Sequence, residues 1–161
     1  MPKENFHALA LCALPAALDV IGERWSFLIL RGAFNGLRHF EEFQSTMGIA
    51  RNILANRLGN MVVNGLLVRN PMAADRRKVE YRLTDKGAAL LPVLVALRQW
   101  GEKWEACVPS TPTLVDARKQ QPIRKIAIFA QDGRELAFED MCWVHAEDVR
   151  PPEYLKAVRA V

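Results

Sequence analysis

The chain has 161 residues and a formal net charge of +4, with half of the residues hydrophobic and a quarter charged. That is the size of one domain and the composition of an ordinary globular protein, which argues against disorder and removes any need for disulfides or metal to fold. Three cysteines do not make a disulfide framework and point to a reducing cytoplasm; the longest apolar run, Ala88 to Leu97, has ten residues where a membrane span needs about 20.

The positive charge is local. Residues 49–82 hold seven basic side chains (Arg51, Arg57, Arg69, Arg76, Arg77, Lys78 and Arg82) against Asp75 and Glu80. The rest of the chain is nearly balanced. Six of the seven are Arg, whose planar fork of donors suits phosphate oxygens and guanine edges. Such a patch is the footprint of a nucleic-acid binder, or else a solvated charged face.

In chain order, Ala8 to Leu18 is apolar and follows Lys3, but Glu4 cancels the basic start and Leu11 is too large to precede a lipidated cysteine. The segment reads as helix rather than export signal. Pro15 to Arg31 shows helical spacing through Leu14, Leu18, Ile21, Trp25, Leu28 and Ile29; Gly22 can divide it, and Asn35-Gly36 stops it. Leu37 to Thr46 is a short helix with Phe40 and Phe43 turned inward, and Gly48 can take the left-handed conformation that ends it. A second helix spans Ala50 to Asn64. Ala50, Leu54, Leu58 and Met61 share one face, Asn52, Asn56, Gly59 and Val63 the opposite one, and Arg51 and Arg57 flank the buried side.

Short helix, glycine turn and longer helix make the layout of a helix-turn-helix, whose second helix lies in the major groove. Asn bonds adenine and Arg bonds guanine in bidentate fashion, so Arg51, Asn52 and Asn56 are candidate base readers. The alternative is that the two Asn are plain surface residues. Leu66 to Asn70 and Lys78 to Leu83 read as strands joined by a loop with a basic tip, a wing. Its Arg76, Arg77 and Lys78, with Arg38 and Arg57, are candidate backbone contacts, although the loop arginines could merely be solvated.

Thr84 can cap a further helix running to about Cys107, in which Pro92 should introduce a kink. Leu90, Leu94, Leu97, Gly101 and Trp104 form a seam too long for a small winged core, so a second subunit is expected to cover it. Residues 108–122 read as a linker. Arg124 to Phe138 looks like a β-hairpin turning at Asp132-Gly133, and Pro152 to Val161 like a short terminal helix. The expected fold is mainly α with a small β-hairpin wing. It comprises a winged helix-turn-helix over residues 1–107 and a C-terminal extension over 123–161 built from a hairpin and a short helix.

Other chemistry finds little footing. Cys142-Trp-Val-His145 has the spacing of half a zinc site and Cys107 could add a third ligand, but a fourth is missing, so neither metal nor cofactor is expected. His7 looks incidental; His39 opens the first motif helix and could face phosphate. Phosphate loops, metal-binding His pairs and nucleophile elbows are missing, so the reading is not an enzyme. The four tryptophans suit core and interface, though they could also line an effector pocket.

Cys12-Ala-Leu-Pro15-Ala-Ala-Leu18-Asp19-Val-Ile-Gly22-Glu-Arg24-Trp25 resembles the N-terminal signature of the HxlR-type winged-helix regulators, relatives of the MarR group. Phe40-Glu-Glu-Phe43, Gly48-Ile49-Ala-Arg51-Asn52-Ile-Leu54, Arg57-Leu58, Gly65-Leu66-Leu67, Val79-Glu80-Tyr81-Arg82-Leu83-Thr84-Asp85-Lys86-Gly87 and Trp100-Gly101-Glu102-Lys103-Trp104 agree in order and spacing. The resemblance covers residues 12 to about 105. It implies a bacterial or archaeal homodimer on a pseudo-palindromic operator, joined through the first and last core helices, here Leu18, Ile21 and Trp25 with Leu94, Leu97 and Trp104. Ala50 departs from it, standing where the family commonly has a capping Ser. Cys12 matches a position at which some members sense oxidants through the thiol, but its apolar helix and the lack of a basic neighbour favour a buried small hydrophobe, which would be inert.

The function expected is therefore that of a sequence-specific transcriptional regulator, a repressor rather than an activator. Its partners would be double-stranded DNA, a second copy and a small-molecule effector, with no membrane. The alternatives are a winged-helix protein-interaction module without DNA binding and a redox sensor acting through Cys12.

Overall fold

A computed structural model describes residues 12–71, 79–144 and 148–149. The chain divides after Trp100 into two compact units.

In the first unit the apolar run breaks at Gly22 into α1 (Ala13–Ile21) and α2 (Arg24–Phe34). The helix-turn-helix follows as α3 (Phe40–Met47) and α4 (Arg51–Val63). Between them Gly48 adopts φ 60°, a conformation that costs glycine nothing, and its N–H closes α3 on the Gln44 carbonyl at 3.0 Å. Phe43, Leu54 and Leu58 are completely buried, together with Ile29 and Leu30 of α2. Gly32 lets α3 approach α2, since a Cβ there would lie 2.7 Å from Met47 Cε and 2.9 Å from Leu37 Cδ1.

The Glu42 carboxylate accepts the backbone N–H of Arg38 at 2.7 Å and of His39 at 2.9 Å, satisfying amides at the start of α3. Those hydrogen bonds hold its carboxyl below the ordinary 4.5, the Arg38 amide contributing most.

Strands β1 (Leu67–Pro71) and β2 (Val79–Leu83) pair antiparallel from Leu67↔Leu83 to Pro71↔Val79. The loop tip that carries Arg76, Arg77 and Lys78 lies outside the described residues. Tyr81 N–H donates to the Arg38 carbonyl at 2.8 Å, so the hairpin is stitched to the segment ahead of α3. Thr84 caps α5 (Asp85–Ala88) by accepting from Gly87 N at 3.1 Å, and its hydroxyl donates to the Gly65 carbonyl at 2.6 Å. Gly87 is packed against the Leu66 carbonyl so closely that a Cβ would overlap it.

One helix from Thr84 to Cys107, kinked at Pro92, was expected. The structure instead has two helices, α5 and α6 (Leu91–Trp104). Pro92 falls in the first turn of α6, where its missing N–H costs no intrahelical bond, so the helix restarts there.

Within the second unit the stretch expected as a linker carries its own hydrogen bonds, including an antiparallel bridge Val115↔Pro122. The expected hairpin is present but short: β3 (Ile128–Phe129) pairs with β4 (Glu135–Leu136), turning where Gly133 takes φ 84°. A three-residue helical turn follows at Phe138–Asp140, and Pro152 to Val161 lies outside the described residues. The first unit has a mostly helical winged helix-turn-helix fold with a small antiparallel hairpin, and the second carries a short hairpin of its own.

Two measurements probe this packing. Gly87→Ala should cost about 1–3 kcal/mol by forcing a methyl into the Leu66 carbonyl, read as a fall in the urea midpoint. A wild-type midpoint would show that this approach is not tight. Glu42 contributes stability while ionised, which is lost as pH falls below 4.5 through its lowered folded value. Glu42→Gln should therefore be less stable than wild type at pH 7, with the difference shrinking in urea titrations at progressively lower pH; a constant difference would contradict the assignment.

Candidate nucleic-acid interface

α4 is amphipathic in the sense that matters for a reading helix. Leu54, Leu58 and Met61 are buried, while Arg51, Asn52, Asn56, Gly59 and Val63 are exposed on the other side. Ala50 is the N-cap and makes no side-chain cap bond, so the first-turn amides of α4 have no side-chain acceptor from that position.

The three candidate base readers differ in freedom. The Arg51 guanidinium carbon sits 4.9 Å from the Phe40 ring centroid, a stacking that fixes its direction at the start of α4. The Asn52 side chain makes no hydrogen bond among the described residues. Asn56 Oδ1 accepts from Asn60 Nδ2 at 3.2 Å, so a bidentate contact to adenine needs that bond shared or broken.

The candidate backbone residues are placed unevenly. Arg38 Nη1 donates to the Ala33 carbonyl at 2.8 Å and to Leu37 at 3.1 Å, closing the end of α2. Arg57 Nη2 pairs with Glu23 Oε2 at 2.8 Å, and its Nε is buried with no partner among the described residues. Both guanidiniums thus have intramolecular work. Arg76, Arg77 and Lys78 fall in the loop outside the described residues, and no position is given to them. His39, read as a residue that could face phosphate, has its Nδ1 3.0 Å from the Val79 carbonyl, so that nitrogen serves the wing.

Sequence reasoning missed the neighbours of α4. Glu23, Trp25, Asn52, Ile53, Asn56 and Arg57 line an open groove of about 500 Å³. Nothing in the spacing announced that Glu23, more than thirty residues upstream, would be the partner of Arg57.

The residues named for a dimer interface divide three ways. Ile21 is buried in the core, Trp25 and Leu94 are half-buried, and Leu18, Leu97 and Trp104 are 50%, 49% and 60% exposed. Leu97 and Trp104 share an outward stripe of α6 with Val93 and Trp100, all exposed, whereas Val95 on the other side is buried. Cys12, whose apolar neighbours suggested burial, is exposed as the N-cap of α1, with its Sγ accepting from Leu14 N at 3.4 Å. Cys107 and Cys142 are exposed too, and His145 of the half-zinc motif lies outside the described residues. Among the described residues no helix is long and apolar enough to cross a membrane.

Comparison with known proteins agrees with this geometry. An uncharacterized HTH-type transcriptional regulator of Mycobacterium tuberculosis is 44% identical over 88 residues, which is 55% of this chain and 56% of that protein. The chain thus spans little more than half the length of that relative. The crystal structure of PA1607, a candidate transcription factor, is 47% identical with a TM-score of 0.78, covering 87% of this chain and 99% of its own. HypR, a redox regulator solved in its oxidized form, is 30% identical with a TM-score of 0.53, covering 57% of this chain and 96% of its own. A family model for the HxlR-like helix-turn-helix matches residues 20–108, more than half of the chain, and the chain belongs to that family of transcriptional regulators.

Proposed function

We propose that this chain is a repressor that binds a pseudo-palindromic operator as a homodimer in the cytoplasm, with α4 of each copy in a major groove. The observation that carries the reading is the outer face of α4, where Arg51 and Asn52 stand exposed opposite a completely buried Leu54 and Leu58. The uncapped start of α4 adds to it, because first-turn N–H groups with no side-chain acceptor suit a phosphate oxygen.

Arg51, Asn52 and Asn56 read bases. The wing residues Arg76, Arg77 and Lys78 supply backbone contacts and salt dependence. Arg38 and Arg57, already bonded within the fold, set the position of the reading helix and reach phosphate only secondarily. The exposed stripe of α6 through Leu97 and Trp104, with Leu18 of α1, forms the contact between copies. Ile21, Trp25 and Leu94 support it from behind. A small-molecule effector would act by changing the angle between the two reading helices.

A second reading concerns release of the operator. Cys12 is exposed at the start of α1, where an oxidant can reach its sulfur. Similarity to the redox regulator HypR supports the same idea. Here two Cys12 thiolates of a dimer join as a disulfide, the oxidant taking up the two electrons.

Fluorescence anisotropy on the upstream intergenic DNA and on a scrambled duplex, across a salt series, tests the first reading. Wild type should hold the upstream fragment alone against competitor. Asn52→Ala should lose about 1–3 kcal/mol on that fragment and nothing on the scrambled one. Equal loss on both would remove Asn52 from base reading, and no binding to either would favour a protein-interaction module. For the thiol reading, diamide should convert wild type, but not Cys12→Ser, to a covalent dimer on a non-reducing gel and weaken its operator binding. A Cys12→Ser protein that still loses the operator under diamide would sink it.

A further inference from the structure

We infer that the loop 114–123 of the second unit, with the strand of chain leaving it, is a second phosphate-binding element through which the chain grips the DNA backbone outside its winged helix. The inference rests on the reading of the chain as a DNA-binding regulator.

Between Ala117 and Gln131 there are four basic residues, Arg118, Lys119, Arg124 and Lys125, and no acid. All four are exposed. The side chains of Arg118, Lys119 and Lys125 have no partner among the described residues. Asp116, the nearest acid in sequence, is directed elsewhere: its Oδ1 accepts from Arg118 N and its Oδ2 from Lys119 N, each at 3.1 Å. It fixes the backbone that presents the two cations, and their charges have no ion pair among the described residues.

The loop is closed as well as charged. Val115 bridges Pro122, Asp116 N donates to the Gln121 carbonyl at 2.8 Å, and Gln120 N donates to the Asp116 carbonyl at 2.8 Å. A surface held this way loses less entropy on binding than a free tail with the same charges. The acids of the second unit lie outside this stretch, with Asp132, Glu135, Glu139, Asp140, Glu147, Asp148 and Glu153 after it and Glu102, Glu105 and Asp116 before it. A unit whose ten acids outnumber its nine bases thus still contains one stretch that is purely cationic. Exposed cations on a shaped loop fit a polyanion. DNA is the favoured one because the same chain brings a helix-turn-helix to it, which makes the second contact intramolecular and raises its effective concentration.

Each phosphate neutralised adds about 0.9 to the slope of log affinity against log salt. With the full chain on its upstream DNA, Arg118→Gln/Lys119→Gln/Lys125→Gln should lower that slope by roughly 2–3 per bound chain. The preference for operator over scrambled duplex should not change, because phosphate contacts carry no sequence information. Lys119→Gln alone should lower the slope by about 0.9 and serves where the triple variant is poorly folded, as judged by circular dichroism. Arg118→Lys should keep the wild-type slope. Well-folded variants with an undiminished slope would overturn the proposal and leave the regulator reading standing. A wild type that binds no DNA at low salt would overturn both. Loss of binding to phosphatidylglycerol vesicles with an unchanged DNA slope would assign the loop to membranes and overturn it also.

Discussion

The segment Arg38–His39 is the joint on which the winged helix turns. Four groups meet there: the Glu42 carboxylate takes both amides, Tyr81 N–H takes the Arg38 carbonyl, the His39 ring reaches the Val79 carbonyl, and the Arg38 guanidinium reaches back to Ala33. The end of α2, the start of α3 and the wing strand are thus tied at one place. Phe43 of α3 and Leu54 and Leu58 of α4 are buried in the same core, which holds the reading helix in place. Breaking the joint would leave each helix intact and let the reading helix and the wing move apart.

Much of the fold was legible because it rests on local rules. Leu54, Leu58 and Met61 recur at helical spacing and are the residues buried. Gly48 and Thr84 sit where a left-handed turn and a cap are needed, and the structure uses them so. Where the reading failed, a local rule had two outcomes. A proline in a helical pattern either kinks a helix or starts one, and Pro92 starts one. The second-unit hairpin has the right turn at Gly133, but its apolar residues Ile128 and Phe129 remain exposed in this chain, and the paired strands reach only two residues each. A turn signal fixes where a hairpin bends, not how far its strands zip.

Counting basic residues overstates the charge available to DNA. Of the arginines in the basic window, Arg57 faces Glu23 at 2.8 Å and Arg82 faces Glu80 at 2.9 Å. The second pairing lies within the window, but the first could not be counted from its composition, since Glu23 stands ahead of α2, outside it. Arg51 differs in kind: it rests on an aromatic ring, which orders the side chain without neutralising it. For recognition of a polyanion, an ordered but unneutralised guanidinium is worth more than a paired one, because it brings charge to the contact at little entropic cost.

The same distinction between a pattern and its environment governs the apolar residues. Helical spacing identifies the faces of α1 and α6 that would have to be covered; it does not say by what. In this chain α1 buries only its last residue, Ile21, and leaves Leu14, Leu18 and Cys12 exposed. α6 turns Val95 inward and Val93, Leu97, Trp100 and Trp104 outward. A helix with apolar residues on both sides has more surface to bury than one small core can take, and a lone chain would carry that excess as an exposed patch. The proposed dimer accounts for it with residues already in place. It would also bring the exposed Cys12 near the contact between copies, so that a single structural requirement, covering α1, places the thiol where its oxidation could be felt by both reading helices.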